Sequence, residues 1–187
     1  MRKIATFILC NLFGWKTNNQ FPPNLKKYVI IVAPHTSWID FPLGIFAKTS
    51  YGIKVHFIAK HSLFKPPFGF IFKALGGTPV DRSKSTNLVE AIINIFNAQE
   101  NFILALSPEG TRKKLVKWKT GFYYVAKGAK VPIVMVGFDY STKSISVSEP
   151  FYPTDNLKSD YRHFHDFFKD VQGKSPELFE PNFHVNV

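Results

Sequence analysis

Thiols are almost missing from this chain. Cys10 is the single cysteine in 187 residues, which rules out a disulfide within the chain and fits a reducing compartment. Acidic residues are scarce too: 13 Asp and Glu stand against 24 Lys and Arg, leaving a net charge of +11. Such an excess favours an anionic partner, whether nucleic acid, a phosphorylated substrate or an anionic membrane. No apolar run is long enough to cross a bilayer. The phosphate loops G-x-x-x-x-G-K-[ST] and G-x-G-x-x-G are both missing, as is the G-x-S-x-G elbow of serine hydrolases. No small-x-small cleavage site follows the basic start MRK, so the N-terminus reads as part of the mature chain.

What is present is apolar and aromatic. With 45% hydrophobic and 16% aromatic residues, residues 1–187 are expected to form a single globular domain. The 20 Phe exceed what a core of this size readily hides, so some should face an apolar partner. Ile4, Ile8 and Leu12, with Phe7 beside them, fall at helical spacing. A helix of some twelve residues is roughly 18 Å long against a ~30 Å hydrocarbon core, so it can lie on a membrane but not span it. Residues 1–20 therefore read either as an interfacial amphipathic helix or as a helix packed on the domain.

Further along, apolar strand signals alternate with helical ones. Strands are expected at Tyr28 to Val32, Val55 to Ala59, the short TPVDR segment, 102 to 106 (FILAL), Val131 to Phe138 and Ser144 to Val147. Helices are expected from Ser37 to Lys48, from Pro66 to Gly76, from Asn87 to Gln99, from Gly121 to Lys130 and from Asp160 to Val171. This alternation predicts an α/β fold: a mixed, mostly parallel sheet flanked by helices, with a short N-terminal amphipathic helix.

In such sheets ligands gather at the carboxyl ends of strands. Three loops there carry chemistry: PHTSWID after the first main strand, GGTPVDRS, and SPEGTR after FILAL. A spacing of five places His35 and Asp40 about 140° apart on a helix, so they cannot share a helix face. To meet, His35 must lie on the turn leaving the strand while Asp40 points back from the first helical turn. Taken singly, the residues also read as ordinary structure: Asp40 as an N-cap, His35 as a loop histidine, Arg82 beside Asp81 as a surface ion pair, and Glu109 to Thr111 as a turn. Their joint order argues for a site.

Together these residues resemble the glycerolipid acyltransferases typified by 1-acylglycerol-3-phosphate acyltransferase. The family's His-x4-Asp motif is matched by His35 and Asp40, its glycine-led segment ending in Arg by GGTPVDR, its Pro-Glu-Gly-Thr-Arg motif by Pro108 to Arg112, and its apolar strand with proline by VPIVMV. The resemblance covers about residues 29–150. Pro34, Ser107 and Met135 depart from residues common at those motif positions.

The resemblance implies transfer of a fatty acyl group from a thioester, acyl-CoA or acyl carrier protein as co-substrate, to the free hydroxyl of a lysophospholipid. Lysophosphatidate is the default acceptor, and another lysophospholipid or an amine-headed lysolipid is the alternative. His35 would act as general base oriented by Asp40, and no protein nucleophile, metal or bound cofactor is called for. Arg82 and Arg112 suit a phosphate, because a guanidinium donates two parallel hydrogen bonds to it. Backbone N–H groups near Gly110 and Thr111 are candidate oxyanion donors. Substrate binding by Glu109 and Thr111 is implied by the family motif alone. Ser37 reads as a cap or orienting residue, and the Phe64 to Leu75 segment as a mixture of core and lipid-facing aromatics. The expected location is peripheral, on the cytoplasmic face of the membrane; oligomeric state is left open.

Two rival classes remain. A basic nucleic-acid-binding module accounts for the charge, but zinc-finger cysteines and a ribonucleoprotein motif are missing, so no nucleic-acid partner is expected. A metal hydrolase is suggested by RHFHD, with His163, His165 and Asp166, but no second ligand cluster accompanies it.

Overall fold

The run Tyr28 to Val32 is apolar at every position because both faces of its strand are covered. In the computed structural model, which describes residues 1–80 and 88–185, this run lies in β2 (Lys27–Ala33), the middle strand of a seven-stranded sheet. Its parallel neighbours are β5 (Phe102–Leu106) and β7 (Ile133–Asp139). Successive side chains point to opposite faces. Val29, Ile31 and Ala33 enter one buried cluster with Leu104, Ile133 and Met135, while Tyr28 and Ile30 enter a second with Val134, Val136 and Phe138.

Helices seal both clusters. α4 (Leu88–Ala98), α5 (Gly121–Ala129) and α6 (Leu157–Phe168) bring Phe96, Phe122, Tyr123, Phe164 and Phe168 to the first. α2 (Asp40–Tyr51) brings Leu43 and Ala47 to the second, together with Leu9 and Trp15. Beyond β5 the parallel series continues through β3 (Val55–Lys60) and β4 (Gly77–Val80), joined by α3 (Gly69–Ala74). On the other side β8 (Ser144–Val147) runs antiparallel to β7, and β1 (Lys16–Asn18) closes that edge. A separate two-stranded ribbon pairs β6 (Lys117–Trp118) with β9 (His184–Val185), and beside it the Trp118 and Phe183 rings stack at 3.6 Å. The predicted α/β architecture, mostly parallel with helices on both faces, is the observed one.

Several boundaries differ for physical reasons. α2 starts at Asp40 rather than Ser37, because residues 37 to 41 first form tight i to i+3 turns (Asp40 N–H to Ser37 O, Phe41 N–H to Trp38 O). α3 starts at Gly69 rather than Pro66, after a turn closed by the Gly69 N–H on Lys65 O. α6 starts at Leu157, three residues before the prediction, because the Asn156 side chain accepts the Ser159 N–H at 3.0 Å and caps it. The short strands β1, β6 and β9 have no counterpart in the sequence reading. Asn87, the expected first residue of the helix that runs to Gln99, lies outside the described residues.

The N-terminal helix packs on the domain and also exposes an apolar stripe. α1 (Arg2–Thr6) continues as a wider π-turn over Phe7–Leu12, with the Phe13 N–H reaching back five residues to Ile8 O. Ala5 and Leu9, four residues apart, form the inward face, and Ile4 and Leu12 are left 64% and 67% exposed. Arg2 Nε donates to Ser50 O at 2.9 Å and the Thr6 and Ser50 hydroxyls meet at 2.8 Å, so the helix is fastened to the end of α2. No helix among the described residues is long and apolar enough to cross a membrane. The Phe64 to Leu75 segment divides in the same way. Phe64 and Phe72 pack on each other at 6.2 Å, Phe72 also meets Phe41, and Phe68, Phe70 and Ile71 face outward.

Candidate active site

The carboxyl ends of β2, β5 and β7 lie side by side, so the loops leaving them converge. His35 leaves β2 two residues past its end, and Asp40 opens α2. Between them the chain doubles back, and His35 Nδ1 comes to 3.1 Å from Asp40 Oδ2. Asp40 is the first residue of α2 and not its N-cap, which is Ile39. Its Oδ2 also accepts the Ser37 N–H at 2.9 Å, and its Oδ1 accepts the Tyr140 hydroxyl at 2.7 Å. The carboxylate is thereby fixed at both oxygens. Its side chain is 2% exposed whereas that of His35 is 25% exposed, so the imidazole is the member of the pair that solvent reaches.

Glu109 supports the same loop from β5. Both of its oxygens accept the His35 N–H, at 3.0 and 3.2 Å. The residue is buried, and burial pushes its carboxyl up to about 7 against the opposing pull of the His35 N–H. It faces inward and holds the backbone that carries the histidine. Gly110 follows at φ +65°, a left-handed conformation that favours glycine, and its N–H donates to Ser107 O at 3.1 Å. Of the two candidate oxyanion donors, the Gly110 N–H is therefore engaged within its own turn. Lys119 lies across this glycine, its Nζ 2.9 Å from where a Cβ would project.

Two residues that the sequence reading did not single out complete the site. Tyr140, the first residue after β7, has its ring edge-on to Trp15 at 5.0 Å and its N–H on Gln172 O at 2.8 Å. Burial and the adjacent Asp40 carboxylate raise its phenol well above the ordinary value, so it stays a donor. Thr36, also buried, accepts the Ser175 N–H on its hydroxyl at 3.1 Å. Gly173 sits between these contacts, so close that a Cβ there would lie 2.7 Å from Thr36 Oγ1 and 3.0 Å from the Pro34 Cβ. The segment after α6 thus backs the histidine loop.

Of the residues picked from sequence, His35, Asp40 and Glu109 meet directly, Gly110 and Thr111 continue the Glu109 turn, and Arg112 stands exposed just beyond. Arg82 lies outside the described residues. β4 runs parallel to β3, and Lys48 of α2 donates to Leu75 O at 2.5 Å, just ahead of β4, and to Val55 O at 3.3 Å, at the start of β3. His163 and His165 lie on α6, about 200° apart around its axis, and His163 stacks on Phe151 at 4.6 Å.

A family model described as Acyltransferase matches residues 16–139, about two-thirds of the chain. The chain belongs to the Acyltransferase family. Relatives of this acyltransferase chain include the 1-acyl-sn-glycerol-3-phosphate acyltransferase of Salmonella typhimurium, 26% identical over 160 residues covering 79% of this chain and 64% of that protein. The protein of the same name from Saccharomyces cerevisiae is 34% identical over 120 residues, covering 59% of this chain and 38% of its own length. The chain thus spans under two-thirds of the length of these curated relatives. Among solved structures, the 1-acyl-sn-glycerophosphate acyltransferase PlsC from Thermotoga maritima shares the fold, with a TM-score of 0.62 over 89% of this chain and 74% of that one at 19% identity.

Proposed function

We propose that this acyltransferase moves a fatty acyl group from a thioester donor, acyl-CoA or acyl carrier protein, to the free hydroxyl of a lysophospholipid, with 1-acylglycerol-3-phosphate as the acceptor. The observation that carries this reading is the 3.1 Å contact between His35 Nδ1 and a buried, doubly anchored Asp40, with the imidazole open to solvent. With Nδ1–H directed at Asp40, Nε2 is the basic nitrogen. It takes the acceptor hydroxyl's proton as the oxygen attacks the thioester carbonyl. The tetrahedral intermediate then collapses, the C–S bond breaks, and the thiolate leaves with the proton returned by the imidazolium. General-base assistance of this kind is worth about 10² to 10⁴-fold. The Thr111 N–H is taken as an oxyanion donor, and Arg112 with Arg82 as the phosphate clamp.

We further propose that the chain acts peripherally at the cytoplasmic face of a membrane, in contact with its lipid acceptor. Supporting this, Met1, Ile4, Phe7 and Leu12 face outward from a helix that begins with Arg2 and Lys3. Lysophosphatidate is favoured because the relatives carry that acceptor in their names. The test is thiol release from an acyl-CoA and from an acyl carrier protein against a panel of lysolipids. Release that depends on lysophosphatidate supports the proposal, release only with an amine-headed lysolipid moves the acceptor assignment, and a panel without acceptor-dependent release refutes the activity.

A further inference from the structure

Asp40 divides its oxygens: Oδ2 serves His35 Nδ1 and the Ser37 N–H, and Oδ1 accepts the Tyr140 hydroxyl at 2.7 Å. A carboxylate with one oxygen unanchored can swing about its Cβ–Cγ bond, and each swing alters the acceptor presented to the imidazole. Tyr140 is well built to prevent this. Trp15 meets its ring edge-on, the Lys174 Nζ lies 5.8 Å above the ring, and its backbone N–H is held by Gln172 O. It lies one residue beyond the stretch that the family model matches.

Resting on the acyl-transfer reading, we propose that Tyr140 is a positioning residue that acts through Asp40. By occupying Oδ1 it keeps Oδ2 aimed at His35 Nδ1, which selects the Nδ1–H tautomer and leaves Nε2 bare for the acceptor's proton. It does not touch substrate. Its loss therefore lowers kcat and leaves KM unchanged, because ground-state binding is not involved.

Tyr140→Phe removes the hydroxyl and keeps the ring. Two measurements are made on it: kcat and KM for acceptor-dependent thiol release, and the ¹⁵N shifts of the His35 ring nitrogens at a pH where the imidazole is neutral. The expected result is a kcat lower by about tenfold at constant KM, with the parent's Nδ1–H tautomer replaced by a mixture. In an Asp40→Asn background the same change has no further effect on kcat, since the path through the carboxylate is already broken. An unchanged tautomer in Tyr140→Phe, or an equal loss of kcat in the Asp40→Asn background, overturns the role of Tyr140 and leaves the acyl-transfer reading intact. Thiol release by His35→Ala at the parent rate overturns that reading, and the positioning role with it. Should Tyr140→Phe lose its cooperative melt, 4-fluorophenylalanine at this position restores the substituent's size without the donor and carries the same test.

Discussion

Replacing Glu109 by Gln should change how stability depends on pH, in a direction that follows from the buried carboxyl. An ordinary glutamate titrates near 4.5, whereas burial raises Glu109 to about 7. Below the unfolded value both states hold the proton and the neutral carboxyl contributes fully to the folded state. Between the two values only the folded state retains it, so stability falls as pH rises through this window, and above about 7 the loss is complete. At about 1.4 kcal/mol per pH unit the window corresponds to about 3 kcal/mol. Glu109→Gln keeps an oxygen to accept the His35 N–H and has no proton to lose. Urea unfolding of parent and variant at intervals from pH 4 to pH 8 isolates the difference, because the other titrating groups are common to both. The variant should gain on the parent by about 3 kcal/mol across that range. A difference that stays constant with pH would refute the assignment of a desolvated, raised carboxyl at this position.

Other consequences concern the neighbouring contacts. Gly173→Ala drives a methyl group against Thr36 and Pro34, and overpacking of this kind should cost about 1–3 kcal/mol, read as a lower melting temperature together with slower acyl transfer. Phe7→Ser with Leu12→Ser removes two exposed side chains of the N-terminal stripe; co-sedimentation with anionic vesicles should fall at least several-fold while the melting temperature stays within a few degrees. Unchanged vesicle binding would place the lipid contact elsewhere on the surface.

The meeting of His35 and Asp40 was legible because a spacing of five excludes a shared helix face and a strand signal ends just before the histidine. The parallel sheet was legible for a similar reason: apolar runs at β2, β5 and β7 are bounded by turn residues and separated by segments of helical period. Tyr140 and Asp40 are 100 residues apart, and Ser175 and Thr36 are 139 apart. No local periodicity reports such pairs, since they depend on β7 lying beside β2 and on α6 returning the chain past the histidine loop. Glu109 was visible as a motif residue, but its inward direction is set by the pairing of β5 with β2, which brings its carboxylate beneath the His35 N–H. At the N-terminus, the packed residues Ala5 and Leu9 keep the four-residue spacing of the Ile4, Ile8, Leu12 series but stand one position further on. Periodicity marks the helix, whereas which of two adjacent apolar stripes packs depends on the fit against α2.

The central claim is that His35, oriented by a buried carboxylate, removes the acceptor's proton. Its most direct test is the rate of lysophosphatidate-dependent thiol release by His35→Ala beside the parent, with equal folding verified by circular dichroism. The variant's rate should be lower by about 10² to 10⁴-fold; turnover as fast as the parent's would contradict a general-base role for His35.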